Sequence, residues 1–387
     1  MHFRSIDRKT AYLLPPSVEE WLPEGHLARF IVEVVEGLDL IRLEQGYAGR
    51  GSTAYHPAQL LSLSLYGYAT GVFSSRKIES ATYDSVAFRF IAAGSDPDHD
   101  TLAAFRRRFL DELSGIFVQV LELAQEMKLL KLGTLSLDGT KVHANASRHS
   151  ALSHGHIEKI EVQLKGEVQE LLALAGKPGG KPPKPPAPGI QSTDQINLTY
   201  EESRIMPVSG GGFEQAYNAQ AAVDTDSLLV VAEAVTQATN DKEQIVPMLE
   251  QLAALPKSLG KVDQLLADTG FFSGKNVVAC EEAGIEPLIA VARDEHHARW
   301  RERFTEPAPL SASATPAERM AHRLRTKAGR AAYALRKQTV EPVFGIIKSV
   351  LGFRQFLLRG LNKVGGEWRL VCLAWNLKRM AVLRLQT

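Results

Sequence analysis

Apolar and polar positions change period once along this chain, near residue 130. Before it, apolar residues recur at helical spacing and the segments carry helix punctuation. Pro57 opens a helix through Ala58–Tyr66, where its missing N–H costs nothing, and Gly71 closes that run. Ser74 or Ser75 caps a second helix over Arg76–Tyr83. Asp98 or Asp100 caps a third, long one running to about Met127, with Phe105, Phe109, Leu113, Phe117 and Val120 on one buried stripe. After Leu132 the pattern shortens to strand-like runs at Thr134–Asp138, Val262–Ala267 and Glu286–Ala292. Phe213–Val223 and Ser227–Thr236 flank the acidic turn Asp224-Thr225-Asp226 as a hairpin. Helical patterns lie between strands, from Asn240 or Asp241 to Leu252 and over Lys275–Gly284. This alternation predicts a mixed α/β architecture.

The expected organisation is an all-α N-terminal domain over 1–130, a candidate for DNA binding, and an α/β domain over 131–387. An insertion at about 149–200 interrupts the second domain. It holds a charge-laced helix over Ile157–Ala175 and a Pro/Gly run over 176–189 that can form neither helix nor interior strand. The helix pair around Gly71–Tyr83 has two readings, a helix-turn-helix that sets its second helix in a major groove, or structural packing.

Composition changes this picture in one respect. The net charge of +1 hides a division: from Arg319 to Thr387, 15 Lys and Arg stand against 2 Asp and Glu, while the rest of the chain carries 30 against 42. A basic helical region over about 316–387 attracts a polyanion. Cys280 and Cys372 form neither a disulfide framework nor a paired metal motif, which fits a reducing cytoplasm. No run is apolar and long enough to cross a bilayer, so no membrane partner is expected.

Three carboxylates have distinctive settings. Asp138 ends Leu135-Ser136-Leu137, Asp268 ends Leu265-Leu266-Ala267, and Glu341 lies in a basic helical segment. Singly each has an ordinary explanation: an Asp-Gly strand exit, a turn, a first-turn acid beside Pro342. Gathered together, they make an all-oxygen pocket suited to Mg²⁺, and two such ions can activate an attacking oxygen and stabilise a leaving one. Lys348 lies two helical turns beyond Glu341, about 10 Å along the same face, where a phosphate backbone would cross. Asn145 and Arg148 follow the first strand and are candidates for DNA contact, with local turn bonding the alternative for Asn145. Tyr217, Asn218 and Gln220 read as cross-strand packing, Asp241 with Gln244 as a variant capping box, and His296 and His297 as surface residues.

Taken with their neighbours, these residues form motifs in a recognisable order. They are Leu137-Asp138-Gly139-Thr140-Lys141-Val142, Glu202-Ser203-Arg204-Ile205-Met206, Tyr217-Asn218-Ala219-Gln220-Ala221-Ala222-Val223-Asp224, Leu266-Ala267-Asp268-Thr269-Gly270-Phe271 and Thr339-Val340-Glu341-Pro342-Val343-Phe344-Gly345. Over nearly its whole length the chain resembles the DDE transposases of bacterial insertion sequences. That resemblance implies an RNase H-like mixed sheet flanked by helices, preceded by the helical domain, with Asp138, Asp268 and Glu341 as the catalytic, metal-binding triad.

It further implies two Mg²⁺ ions per site, replaceable by Mn²⁺, and cleavage of a phosphodiester at the element's end by activated water. The freed 3′-OH would then attack target DNA. Partners would be the terminal inverted repeats and target duplex, with a homodimer in the DNA complex and a cytoplasmic, nucleoid-associated location. Relatives carry a Tyr and an Arg before the Glu. Here Ala334 and Lys337 hold those spacings, while Tyr333 and Arg336 stand one residue early. Lys348, Lys337 and Arg336 are the expected backbone contacts. Two other readings share these residues: a non-catalytic DNA-binding regulator derived from a transposase, and a stand-alone RNase H-like nuclease.

Overall fold

The computed structural model describes residues 17–47, 53–146, 151–153, 159–167, 195–197, 202–208, 212–291, 306–311 and 313–386. The chain divides into two compact units, Met1–Leu129 with Leu373–Thr387, and Leu130–Cys372. Among the described residues no helix is long and apolar enough to cross a membrane.

The first unit is helical: α1 (Val18–Trp21), α2 (Leu27–Glu36), α3 (Ile41–Gln45), α4 (Pro57–Thr70), α5 (Ser75–Asp84), α6 (Val86–Ala92), α7 (His99–Arg108) and α8 (Leu113–Glu126). Helix α4 is buried on nearly every side, as its unbroken apolar sequence requires. Pro57 takes its first position, His56 accepts from the Ala58 N–H, and Gly71 closes it in the left-handed conformation at φ +83°. Lys378 donates to the Ala69 carbonyl at that same end, 2.8 Å away, placing a cation where the helix dipole is negative.

The long helix expected from about 101 to 127 is instead two. Phe109 and Leu110 are both buried, and successive residues point about 100° apart on one continuous helix, so the break between α7 and α8 lets both enter the core. Of the three consecutive arginines, Arg106 is tied inward, donating to the Tyr68 hydroxyl and the Phe73 carbonyl at 2.9 Å each.

The second unit is built on a mixed sheet. Its strands are β1 (Leu132–His143), then, after the short antiparallel pair β2 (Ala151–Ser153) and β3 (Gln195–Asn197), β4 (Arg204–Pro207), β5 (Phe213–Asp224), β6 (Val230–Thr236), β7 (Gly260–Ala267) and β8 (Glu286–Ile289). Strand β5 lies antiparallel to β1 on one edge, and its other edge takes β4 and then β6. On the far side of β1, β7 and β8 run parallel to it and to each other. The order is therefore β6-β5-β1-β7-β8, with β4 continuing the β6 edge. Three antiparallel strands followed by two parallel ones make an RNase H-like sheet, the fold class expected from the sequence.

The second unit also carries helices. They are α9 (159–167) in the insertion, α10 (Ile245–Ala254), α11 (Gly274–Glu282), α12 (Pro316–Arg325), α13 (Lys327–Ala334), α14 (Arg336–Gly345) and α15 (Leu361–Leu383), the last beginning in this unit and ending in the other. The Pro/Gly run at 176–189 lies outside the described residues. Trp368 on α15 is fully buried and donates its indole N–H to the Gln220 carbonyl at 2.9 Å, so the helix is pinned to the central strand by a hydrogen bond as well as by apolar area.

Two strand boundaries decide where the site forms. Strand β1 is longer than the five residues read from the sequence because its second half, Gly139–His143, pairs with β5. The β7 ladder, in contrast, ends at Leu137 opposite Ala267. Beyond Leu137 one edge of β1 is therefore open to other partners, at the carboxyl ends of two parallel strands. Crevices in α/β sheets form at such places.

Candidate active site

Asp138 and Asp268 are the next residues after the last rung of the β1–β7 ladder, Leu137 opposite Ala267. Adjacent strands lie about 4.8 Å apart, so the ladder itself delivers the two carboxylates side by side. Asp268 then caps the short 3₁₀ turn Thr269–Phe271, its Oδ1 accepting from the Gly270 N–H at 2.8 Å. Asp138 accepts from its own neighbour, the Gly139 N–H, also at 2.8 Å. Burial, and next the negative charge of Asp268, push the Asp138 carboxyl up to about 7, against the opposing pull of the Gly139 N–H and the Arg336 guanidinium.

Glu341 reaches the site from α14. That helix starts at Arg336, passes through Pro342, and widens into a π-turn over Ile346–Val350. The sequence allowed either a helix start or a kink at Pro342. The helix instead begins six residues earlier and runs through, losing the one N–H that Pro lacks and relaxing into a wider turn downstream. Arg336 joins the two halves of the site. Its Nη2 lies 2.9 Å from Glu341 Oε1 and its Nη1 lies 3.5 Å from Asp138 Oδ2. Its guanidinium also stands 6.0 Å from the centre of the Tyr333 ring. Two residues one position early in the sequence thus meet each other, and Arg336 rather than the exposed Lys337 turns toward the carboxylates.

The remaining expected contacts fall differently. Lys348 donates to Thr140 Oγ1 at 3.1 Å and to the Lys141 carbonyl at 2.9 Å, filling the open edge of β1. Burial, with Arg354 nearby, lowers its pKa. Asn145 donates to the Leu357 carbonyl at 3.2 Å. Arg148, His296 and His297 lie outside the described residues.

One residue was misread. Asp241 is not the cap of α10, whose first turn begins after Gln244 and has no side-chain cap. Its Oδ1 accepts from Asn218 Nδ2 at 2.6 Å and Gln220 Nε2 at 2.5 Å, both on β5, and lies 3.9 Å from Lys141 Nζ. Its charge also raises the Asp138 pKa. Asn218 and Gln220 are completely buried, which cross-strand packing alone does not explain. The available signal was their i, i+2 spacing, which sets two amides on one face of a strand. Gly139 is what makes room. A methyl group there would overlap Gln220 Nε2 and fall 2.5 Å from Asp241 Oδ1 and 2.7 Å from Asn218 Oδ1.

The donors suit a hard divalent cation, because they are all oxygens and because Asp138, buried beside Asp268, ionises at a cost that a cation would offset. Among the described residues, no three such side chains already close around one point as a metal cage. Arg336 stands between Asp138 and Glu341.

Two families match this chain: Transposase DDE domain over residues 199–377, which contains Asp241, Asp268 and Glu341, and Transposase domain (DUF772) over residues 16–108. No curated protein and no solved structure matches it. The second match falls on helices of the first unit and the first on most of the sheet and of the second unit's helices. With an RNase H-like sheet, these two matches make the chain a member of the DDE transposases of bacterial insertion sequences.

Proposed function

We propose that this transposase cuts DNA at the ends of its element and joins the freed 3′-OH to target DNA in one metal-dependent site. Asp138, Asp268 and Glu341 would hold the divalent cations, Mg²⁺ or Mn²⁺. Such ions, when bound, lower the pKa of an attacking water or 3′-OH and stabilise the leaving oxygen. The observation that carries this reading is the set of three carboxylates joined through strand register and one guanidinium: Asp138 beside Asp268 across β1 and β7, and Arg336 shared by Asp138 and Glu341.

The chain's own residues have distinct tasks. The strand-borne aspartates fix the reaction centre, because a sheet ladder holds its ends more tightly than a loop does. Arg336 neutralises carboxylate charge before substrate arrives. Its Nε is buried without a hydrogen-bond partner among the described residues, and a phosphate oxygen would supply that acceptor. Lys348 holds β1 beside the centre through Thr140 and Lys141, and exposed Lys337 and the basic helices α12–α15 offer charge to the DNA backbone. Joining two element ends calls for a homodimer on DNA.

The test is cleavage and strand transfer on a duplex carrying the element's own terminal repeats. Asp138→Ala, Asp268→Ala and Glu341→Ala should each abolish both steps while leaving the gel shift of that duplex in place. Retained cleavage in any of the three removes that residue from the triad. Cleavage by the wild type without joining supports a stand-alone nuclease instead.

A further inference from the structure

Asp241 lies in the loop between β6 and α10, and its two oxygens have different surroundings. Oδ1 is held by the Asn218 and Gln220 amides. Oδ2 receives neither of these bonds and faces the other strand end. A methyl group on Gly270 would lie 3.0 Å from Asp268 Oδ1 and 3.6 Å from Asp241 Oδ2, so both oxygens border one small space. One side of the carboxylate is anchored, and the other points toward the pair that the sheet assembles.

A second observation concerns the amides themselves. Asn218 and Gln220 have no exposed surface. With the Gln220 nitrogen committed to Asp241 and that of Asn218 to Asp241 and the Ala238 carbonyl, their oxygens Asn218 Oδ1 and Gln220 Oε1 are buried and accept no hydrogen bond among the described residues. Buried acceptors nearly always find a donor. Asn218 Oδ1 borders the space above Gly139 that Asp241 Oδ1 also borders. Lys141 Nζ, 3.9 Å from Asp241 Oδ1, already brings positive charge, but among the described residues no donor reaches either amide oxygen, so the space still takes a group that is positive toward carboxylates and donates to those oxygens. A hydrated divalent cation is both, since hard cations keep several waters whose hydrogens point outward.

We propose that Asp241 is a fourth carboxylate ligand of the divalent cation held by Asp138 and Asp268, and that Asn218 and Gln220 orient it and accept from cation-bound water. This inference rests on the metal-dependent reading above. The alternative is that Asp241 only ties two strand amides in place. Asp241→Asn separates the two, because the variant keeps an oxygen for both amides and loses the charge.

Mn²⁺ binding to the full chain without DNA, followed by calorimetry, provides the test, with wild type, Asp241→Asn and Asp138→Asn side by side. Removing a ligand or its supporting partner should weaken binding about 10- to 100-fold. Asp241→Asn should therefore lose Mn²⁺ affinity to that extent, as Asp138→Asn does, with an unchanged unfolding transition in the absence of metal. Wild-type affinity in Asp241→Asn with weakened affinity in Asp138→Asn overturns the proposal and leaves the metal-dependent reading standing. Unchanged affinity in both removes both. If Asp241→Asn does not fold, the wild type decides. With Fe²⁺, ascorbate and peroxide, radical cleavage of the backbone should occur at 241 together with 138 and 268, and cuts at 138 and 268 without one at 241 overturn the proposal.

Discussion

The site has a sheet-borne half and a helix-borne half, and they are built on different principles. Asp138 and Asp268 are set by ladder register, part-buried, and surrounded by close packing that leaves no room for a methyl group at Gly139. Glu341 is exposed, sits on a helix that contains Pro342 and runs into a π-turn, and is tied to the sheet through one arginine. The first half can define where a reaction centre lies. The second can adjust to what occupies it, because an exposed side chain on an irregular helix moves at small cost. The proposed succession of cuts and joins at one centre would need both properties.

The largest expected effect breaks both halves equally. Cleavage should fall by at least about 10³-fold in Asp268→Asn and in Glu341→Gln alike, since each removes a charged oxygen donor from the reaction centre. A gel-based single-turnover assay reads it, and tenfold or smaller loss in Glu341→Gln would mean the helix-borne half is dispensable. Next in size, Gly139→Ala should destabilise the metal-free protein by roughly 1–3 kcal/mol through overpacking against Asp241, Asn218 and Gln220. Alanine at Gly345, where added volume meets nothing within 4 Å, should not show that loss. Urea unfolding compares them.

Ionisation sharpens the contrast further. The folded-state pKa of Asp138 is raised from an ordinary carboxylate value to about 7. Between those two values the folded protein binds more protons than the unfolded chain, so this group's contribution to stability declines as pH rises from about 4 to 7. The share of the metal-free Tm that Asp138 supplies should therefore fall over that window. In Asp138→Asn the slope should flatten, and the variant should be more stable than wild type at pH 8 by roughly 1–2 kcal/mol. An identical slope in both proteins contradicts this account. The smallest effect belongs to the other half. Glu341→Gln should change metal-free stability by no more than about 0.5 kcal/mol, as expected of an exposed ion pair, measured in the same urea series.

How far the sequence carried depended on how local each determinant was. The alternation of apolar runs, the Pro57 and Gly71 helix ends, the hairpin around Asp224 and the strand exit at Asp268 are set by backbone chemistry within a few residues. They were legible, and with them the mixed α/β class. The break between α7 and α8 was not, because it arises from the need to bury both Phe109 and Leu110 in a core whose shape no local pattern reveals. Nor was the role of Asp241, whose spacing to Gln244 imitates a helix cap. Only the pairing of β5 with β1 showed that two buried amides and a glycine surround it.

Arg336 marks the same boundary. Counting along the chain favours Lys337 at the arginine position, while the rotation of α14 decides which of two adjacent cations faces the carboxylates. The sequence by itself determined most strands of the sheet, several helix ends and the chemistry available there, because propensity, capping and turn formation are short-range. The tertiary structure alone decided which oxygens and cations share one space, because that depends on strand register and helix rotation, which contacts between distant segments set.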